Sequence, residues 1–158
     1  MTQRGIPRPR VRIARLRHAP VVARVIRASF AEYLDAAKKP VSARLSARQV
    51  RLHIRTGKKR YALAYLASRP VGAVGYRVKG RRLTFGPVGV LPRRRKAGVG
   101  AALIAWVERR ARVRRCREIR AEVLWGLAHL KEYYRKRGYR IVEKNERTYA
   151  VKRLAPQG

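Results

Sequence analysis

The stretch Val88-Gly89-Val90-Leu91-Pro92-Arg93-Arg94-Arg95-Lys96-Ala97-Gly98-Val99-Gly100-Ala101-Ala102-Leu103 limits what this chain can fold into more than any other feature. A strand-like apolar run meets a proline, crosses a basic loop with two spaced glycines and enters an amphipathic helix. Such a passage makes an anion site, because the first helical turn has amides without partners and a partial positive charge. Gly98 and Gly100 remove side chains, so a phosphate can approach the backbone. Arg95 and Lys96 add full charges at the rim, and a pyrophosphate fits that description. Taken alone, the same residues also fit a glycine-rich turn whose arginines belong to a general excess.

The surrounding chain reads as short alternating elements. Val11, Ile13 and Leu16 form a strand-like run. Pro20 sits where a helix starts, and Val22, Val25, Ile26, Phe30 and Leu34 recur at helical spacing, which predicts a first helix to about Ala37. Lys38, Lys39 and Pro40 break it. Ser46 and Gln49 form a capping-box pattern ahead of Val50, Leu52 and Ile54, so a second helix is predicted over 47–55, ended by Gly57. Strands are predicted over 61–66, 71–78 and 83–90, with turns at Ser68-Arg69-Pro70 and Lys79-Gly80-Arg81. A long helix follows from about 98 to 113, with Val99, Leu103, Trp106, Val107 and Arg110 along one side. Residues 118–124 read as a strand. Leu127, Leu130, Tyr133 and Tyr134 mark a fourth helix that Gly138 ends. Residues 139–142 and 148–151 pair as a last hairpin across Lys144-Asn145-Glu146. The helix joining the strands at 83–90 and 118–124 is a crossover, so those strands are expected to be parallel neighbours in an otherwise antiparallel, mixed α/β fold.

The length of 158 residues suits one domain, expected over 10–153, with a loose basic arm at 1–9 and a tail at 154–158. There is no apolar run long enough to span a membrane and no secretory h-region, so a cytoplasmic location is the default expectation. The single cysteine, Cys116, excludes an internal disulfide and a multi-cysteine metal site, so no metal is expected.

Forty-two Lys and Arg face eight Asp and Glu, a formal charge of +34. The basic residues run along the whole chain, so much of the surface is positive, repels itself and attracts phosphate polymers. Three origins fit: a nucleic-acid or ribosome partner, a basic host proteome or viral context, or engineered supercharging of an ordinary domain. A monomer and a dimer are both compatible with the sequence, although the charge opposes association at low salt.

The spacing Val90-x-Pro92-x-x-Arg95-x-x-Gly98-x-Gly100 resembles the acetyl-CoA-binding motif of the GNAT superfamily of N-acetyltransferases, (Arg/Gln)-x-x-Gly-x-(Gly/Ala), with its upstream valine and proline. Arg120-Ala121-Glu122-Val123 is similar to the family's next strand, and Tyr133-Tyr134-Arg135-Lys136-Arg137-Gly138-Tyr139 resembles its (Phe/Tyr)-Tyr-x-x-x-Gly-(Phe/Tyr). The resemblance covers roughly residues 10–153. It implies a GNAT-like, mostly antiparallel sheet with a central, splayed parallel strand pair and about four helices. It also implies that the backbone amides of Arg95, Lys96, Ala97, Gly98, Val99, Gly100 and Ala101 hold the pyrophosphate of coenzyme A. Val88, Gly89 and Val90 then lie along the pantetheine, and Tyr134 protonates the departing thiolate. The implied reaction is direct attack of an acceptor amine on the thioester of acetyl-CoA, without an acyl-enzyme.

The sequence departs from the family pattern in two places. Leu127 stands where the family often has an asparagine that contacts coenzyme A, and the strand at 83–90 has no carboxylate to act as base. Glu122, Glu32 and Asp35 are the candidate bases, with ordered water as the alternative. His129 lies near the start of the fourth helix, while His18 and His53 read as structural, as do Tyr133 and Tyr139. No histidine is placed to activate Cys116 as a nucleophile. The acceptor is an amine, and the positive surface favours an acidic or phosphate-bearing one, such as an amine linked to RNA. The competing reading is a non-catalytic GNAT-fold module that binds nucleic acid or the ribosome through its basic surface, with RNA or another polyanion as the partner.

Overall fold

The computed structural model describes residues 7–33 and 40–156. These residues form β1 Arg10–Ile13, α1 Ala19–Phe30, α2 Ala47–Thr56, β2 Arg60–Leu66, β3 Arg69–Lys79, β4 Arg82–Val90, α3 Val99–Val113, β5 Glu118–Val123, α4 Ala128–Lys136, β6 Arg140–Lys144 and β7 Arg147–Arg153. The order of elements is the one read from the sequence. The seven strands make one sheet in the order β1-β2-β3-β4-β5-β7-β6. β4 and β5 are parallel, as their crossover helix requires, while β1 with β2, β5 with β7 and β6 with β7 are antiparallel. This is the mixed, mostly antiparallel sheet expected. No helix of the described residues is long and apolar enough to cross a membrane.

The chain divides into two compact units, Met1–Gly75 with Pro87–Trp106, and Tyr76–Gly86 with Val107–Gly158. In the first, α1 turns Val22, Val25 and Ile26 onto a core that includes Val50 of α2, Tyr61 and Leu63 of β2 and Ala73 of β3. α2 starts on a complete capping box, with Gln49 N–H donating to Ser46 Oγ and Ser46 N–H to Gln49 Oε1, at 3.1 and 2.8 Å. It ends at Gly57 in the left-handed conformation, φ 73°. Leu52 falls on the outer face of this helix and is 60% exposed, so the apolar set of α2 is narrower than the run of residues suggested.

In the second unit β5 alternates, with Ile119, Ala121 and Val123 buried and Glu122 outward. β6 and β7 turn at Asn145-Glu146, both at positive φ, the twist that two-residue hairpins demand. Leu154 is buried, and its N–H donates to Arg117 C=O at 2.9 Å.

Two expectations shift. The β2–β3 turn is Ala67-Ser68, with Ala67 at φ 53°, and Arg69 and Pro70 already belong to β3. A proline is tolerated at a strand's start because only one ladder amide is lost. α1 stops at Phe30 and tightens into a 3-10 turn over Ala31–Tyr33. The expected end of that helix, its breaker Lys38-Lys39 and the candidate base Asp35 lie outside the described residues, as do residues 1–6 of the arm and 157–158 of the tail.

Candidate active site

β4 carries the chain toward the basic loop ahead of α3, and its own geometry changes on the way. Its parallel ladder with β5 runs from Arg82↔Glu118 to Phe85↔Ala121. Gly86 then adopts φ 136°, and Pro87 has no N–H to give. Val88, Gly89 and Val90 therefore follow the last rung of the parallel ladder.

Past Val90, Leu91 N–H donates to Val71 C=O at 2.9 Å, and Pro92–Arg94 form a 3-10 turn. Arg94 and Ala97 amides are used inside the loop, donating to Leu91 and Arg94 carbonyls at 2.8 and 3.2 Å. Gly98 turns the chain at φ 77°, where a side chain is strained. The first bond of α3 is Ala102 N–H to Gly98 C=O, 3.0 Å, so the amides of Val99, Gly100 and Ala101 form the open first turn of the helix. That turn contains no acidic side chain. A Cβ at Gly98 would meet nothing within 4 Å, and one at Gly100 only Val90 Cγ2 at 3.7 Å. Among the described residues no atom requires Gly100 to be glycine, and the space beside it is open.

The loop is braced from behind. Arg95 Nη2 donates to Ser29 C=O at 2.7 Å, one of the last carbonyls of α1, and Nη1 pairs with the carboxylate of Glu32. The Arg95 guanidinium, expected as a rim charge, is spent on this brace, while Lys96 is exposed. The same contact bears on Glu32, whose carboxylate is held by a cation. Gly89 is packed so closely on α1 that a Cβ there would lie 2.9 Å from both Cβ and Oγ of Ser29. Gly72 of β3 has the same relation to α3: a Cβ would reach Val99 Cγ1 at 2.7 Å. Sequence reading missed Ser29 and Gly72; a small polar residue on the apolar face of α1 was the one available signal.

In the second unit, α4 buries Tyr134 to 6% exposure. Its ring lies among Tyr139, Tyr133 and Phe85, at centroid distances of 5.3, 5.6 and 6.2 Å. Burial pushes the phenol well above its ordinary range, the neighbouring Tyr133 adds to this, and the Arg137 charge opposes it. Tyr139 is buried as expected, but Tyr133 is 37% exposed and lies edge-on against Tyr134. Leu127 is the N-cap residue of α4, without a side-chain capping bond, and His129 is exposed. Before it, Trp125 sits at φ 50° and Gly126 at φ 61°.

The segment after Tyr134 is clamped by a group the sequence did not reveal. Glu108, buried on α3, accepts from Arg137 Nη2 at 2.8 Å and from Lys152 Nζ at 3.1 Å, and Lys152 also donates to Arg137 C=O at 3.0 Å. Burial alone would raise this carboxyl, but the hydrogen bonds and charges of Arg137 and Lys152 outweigh it and hold the carboxyl below its usual range. An acid on the apolar side of a helix, in a chain with eight acids, was the available clue. Glu122 points outward, its side chain 55% exposed and 4.0 Å from Arg147. Cys116 is buried, and burial raises its thiol, against the nearby charge of Arg114. Among the described residues no group of three His, Cys, Asp or Glu gathers to hold a metal.

Comparison with known proteins supports the same fold. The PaiA N-acetyltransferase of Thermoplasma acidophilum, solved in complex with coenzyme A, superposes with a TM-score of 0.78 at 13% identity, over 92% of this chain and 99% of that one. An acetyltransferase of Thermus thermophilus gives 0.72 at 19% identity, over 94% and 99%. A GNAT family acetyltransferase of Brucella melitensis, in complex with acetyl-CoA, gives 0.67 at 18%, over 95% and 90%. No curated protein matches the chain at the sequence level. The model of the acetyltransferase (GNAT) family matches residues 26–142, nearly three quarters of the length, and the chain therefore belongs to the GNAT acetyltransferase family.

Proposed function

We propose that this chain is an N-acetyltransferase that takes the acetyl group of acetyl-CoA and passes it to an amine. The observation that carries the reading is the open first turn of α3: amides at Val99, Gly100 and Ala101 without a partner among the described residues, a left-handed Gly98, no acid in that turn and free space beside Gly100. That arrangement suits a pyrophosphate, which coenzyme A has. The amides of Arg95, Lys96, Gly98, Val99, Gly100 and Ala101 hold it, the Ala97 amide being engaged with the Arg94 carbonyl, and Val88 to Val90 offer backbone groups to the pantetheine.

Acetyl-CoA supplies an activated acetyl group, and the acceptor nitrogen forms the new C–N bond as the C–S bond breaks. Tyr134 Oη gives its proton to the departing sulfur. Burial keeps this phenol protonated across the neutral range, so the donor is always loaded. Glu32 is bound to Arg95 and Asp35 lies outside the described residues, so among the described candidates Glu122 is the carboxylate for deprotonating the amine, with ordered water as the alternative. The acceptor reads as a phosphate-bearing or acidic amine, since +34 repels polyamines.

Titration calorimetry of acetyl-CoA at about 0.3 M salt, which suppresses loose attraction to surface cations, is the direct test. Saturable one-to-one binding is expected, weakened at least tenfold by Gly100→Glu. This variant is cleaner than a change at Gly98, because position 100 has helical backbone and open room. Tyr134→Phe is expected to keep the affinity and lower kcat about 100-fold. Absence of saturable binding in the parent overturns the proposal. Glu122→Gln is expected to lower kcat/KM below the pKa of the amine and to leave it unchanged above; equal rates at all pH hand that proton to solvent. Labelled acetyl transfer to a tRNA pool, set against peptides and small amines, identifies the acceptor class, and label in small amines alone removes the RNA-linked one.

A further inference from the structure

One cluster of cations among the described residues involves none of the residues assigned to the coenzyme. The β3–β4 hairpin and the chain entering β5 enclose a concavity of about 480 Å³ lined by Arg77, Lys79, Arg81, Arg82 and Arg117, with Thr84 and Glu118 completing it. Period-two alternation places Arg77 and Lys79 on one face of β3, both exposed beyond buried Tyr76. The hairpin tip is fixed to the next strand, because Arg81 C=O accepts from Arg117 N–H at 2.7 Å and from Glu118 N–H at 3.3 Å. The spacing of these cations is thus set by backbone hydrogen bonds.

The one carboxylate that the described residues place in the concavity is already engaged: Glu118 binds Arg82 Nε and Arg120 Nη2, both at 3.1 Å. No ion pair among the described residues takes up Arg77, Lys79, Arg81 or Arg117. We infer that this concavity binds the phosphodiester backbone of a nucleic acid and does not read its sequence. Several cations held on two strands and a loop match a row of phosphates. Among the described residues no aromatic ring lines the surface to stack a base, which removes the usual handle for gripping bases. No apolar side chain lines it either. A membrane-surface site inserts apolar residues, and a protein interface centres on them. The inference stands apart from acetyl transfer and holds whether or not the chain turns over acetyl-CoA.

The whole surface is basic, so the test must separate this concavity from diffuse attraction. The probe is a fluorescein-labelled single-stranded RNA of about 20 nucleotides and mixed sequence, followed by anisotropy from about 0.05 to 0.3 M KCl. The full-length protein is compared with a variant carrying Arg77→Gln, Lys79→Gln and Arg117→Gln, and with a charge-matched variant carrying Arg48→Gln, Arg51→Gln and Arg55→Gln on the exposed face of α2. The concavity variant is expected to lose about tenfold or more in affinity, and its slope of log K against log salt to fall by about 2, from roughly 0.7 per lost phosphate contact. The α2 variant is expected to lose less than about threefold. Arg77→Lys with Arg117→Lys is expected to keep binding, since a phosphate row needs charge rather than a planar fork. Thermal melting of each variant shows that it is folded. Equal losses in the two triple variants, no RNA binding by the parent, or concavity-dependent binding of phosphatidylserine vesicles without RNA binding each overturn the inference.

Discussion

Proton affinity at single residues sets the pH range over which this fold holds. Burial raises the phenols of Tyr61, Tyr134 and Tyr139, each gaining a stronger hold on its proton in the folded chain. Unfolded tyrosines release protons near pH 10, so stability is fully present below that and falls as pH rises beyond it. His18 and His53 behave in the opposite sense. Burial lowers both, helped by Arg17 and Arg15 around His18 and by Lys59 and Lys58 around His53. The unfolded histidines take up protons near pH 6.5 while the folded ones resist, so stability declines as pH falls below that value. Denaturant titrations across pH are expected to show a plateau from about 7 to 10 with a fall on either side. A maximum below about pH 5 would contradict this. At this scale the place of Tyr134 on the buried side of α4 was legible because its motif is local, a Tyr followed at fixed spacing by Gly138 and Tyr139. Ser29 was not, because its meaning depends on Gly89 and Arg95, which reach it only through the tertiary fold.

At the scale of elements, caps and turns were written into neighbouring residues. The Ser46–Gln49 box, the Gly57 stop and the Asn145-Glu146 turn each rest on interactions a few residues apart, so the sequence located them well. The Ala67-Ser68 turn was misplaced because Pro70 is a stronger local signal than the register of β2 and β3, which decides the turn. The Glu108 clamp was invisible for a related reason: its partners come from the end of α4 and from β7. Glu108→Gln leaves two cations facing a group that no longer balances them, which costs roughly 3 kcal/mol, the low end for a broken buried pair. The low end applies because the side chains of Arg137 and Lys152 are 27% and 26% exposed. The loss is expected in a denaturant titration at neutral pH. It shrinks as pH drops below about 4.5, where the unfolded carboxyl takes up a proton that the folded one still resists, and it is gone once the pH has fallen far enough to protonate the folded Glu108 as well. An unchanged midpoint would mean that water solvates the cations as well as the carboxylate does.

For the whole molecule, self-repulsion is the outlying quantity. A formal +34 on 158 residues works against the compact state at any salt that leaves it unscreened. The screening length falls from about 10 Å at 0.1 M salt to about 3 Å at 1 M. The melting temperature is therefore expected to rise by several degrees as NaCl goes from about 0.05 to 0.5 M, more steeply than for a near-neutral protein of the same fold. A flat response would show that surface cations are spaced too widely, or matched too well by bound anions, for repulsion to matter. Net charge was plain from composition, and the fold followed from the order of elements. Composition could not say where the cations meet in space, because the β3–β4 tip and the entry to β5 come together through Arg81 and Arg117 backbones.

The close approach of Gly89 to Ser29 restricts the order in which descendants of this chain can change. A side chain added at 89 collides with the Cβ of residue 29 as well as with its hydroxyl, so trimming serine to alanine does not open the path. Only the rarer step of serine to glycine clears it, and that step weakens α1 by roughly 0.5–1 kcal/mol before anything is gained. The two positions are joined by history: a lineage that fills 89 must first have emptied 29, and a chimera that joins a β4 filled at 89 to an α1 with a side chain at 29 inherits the collision.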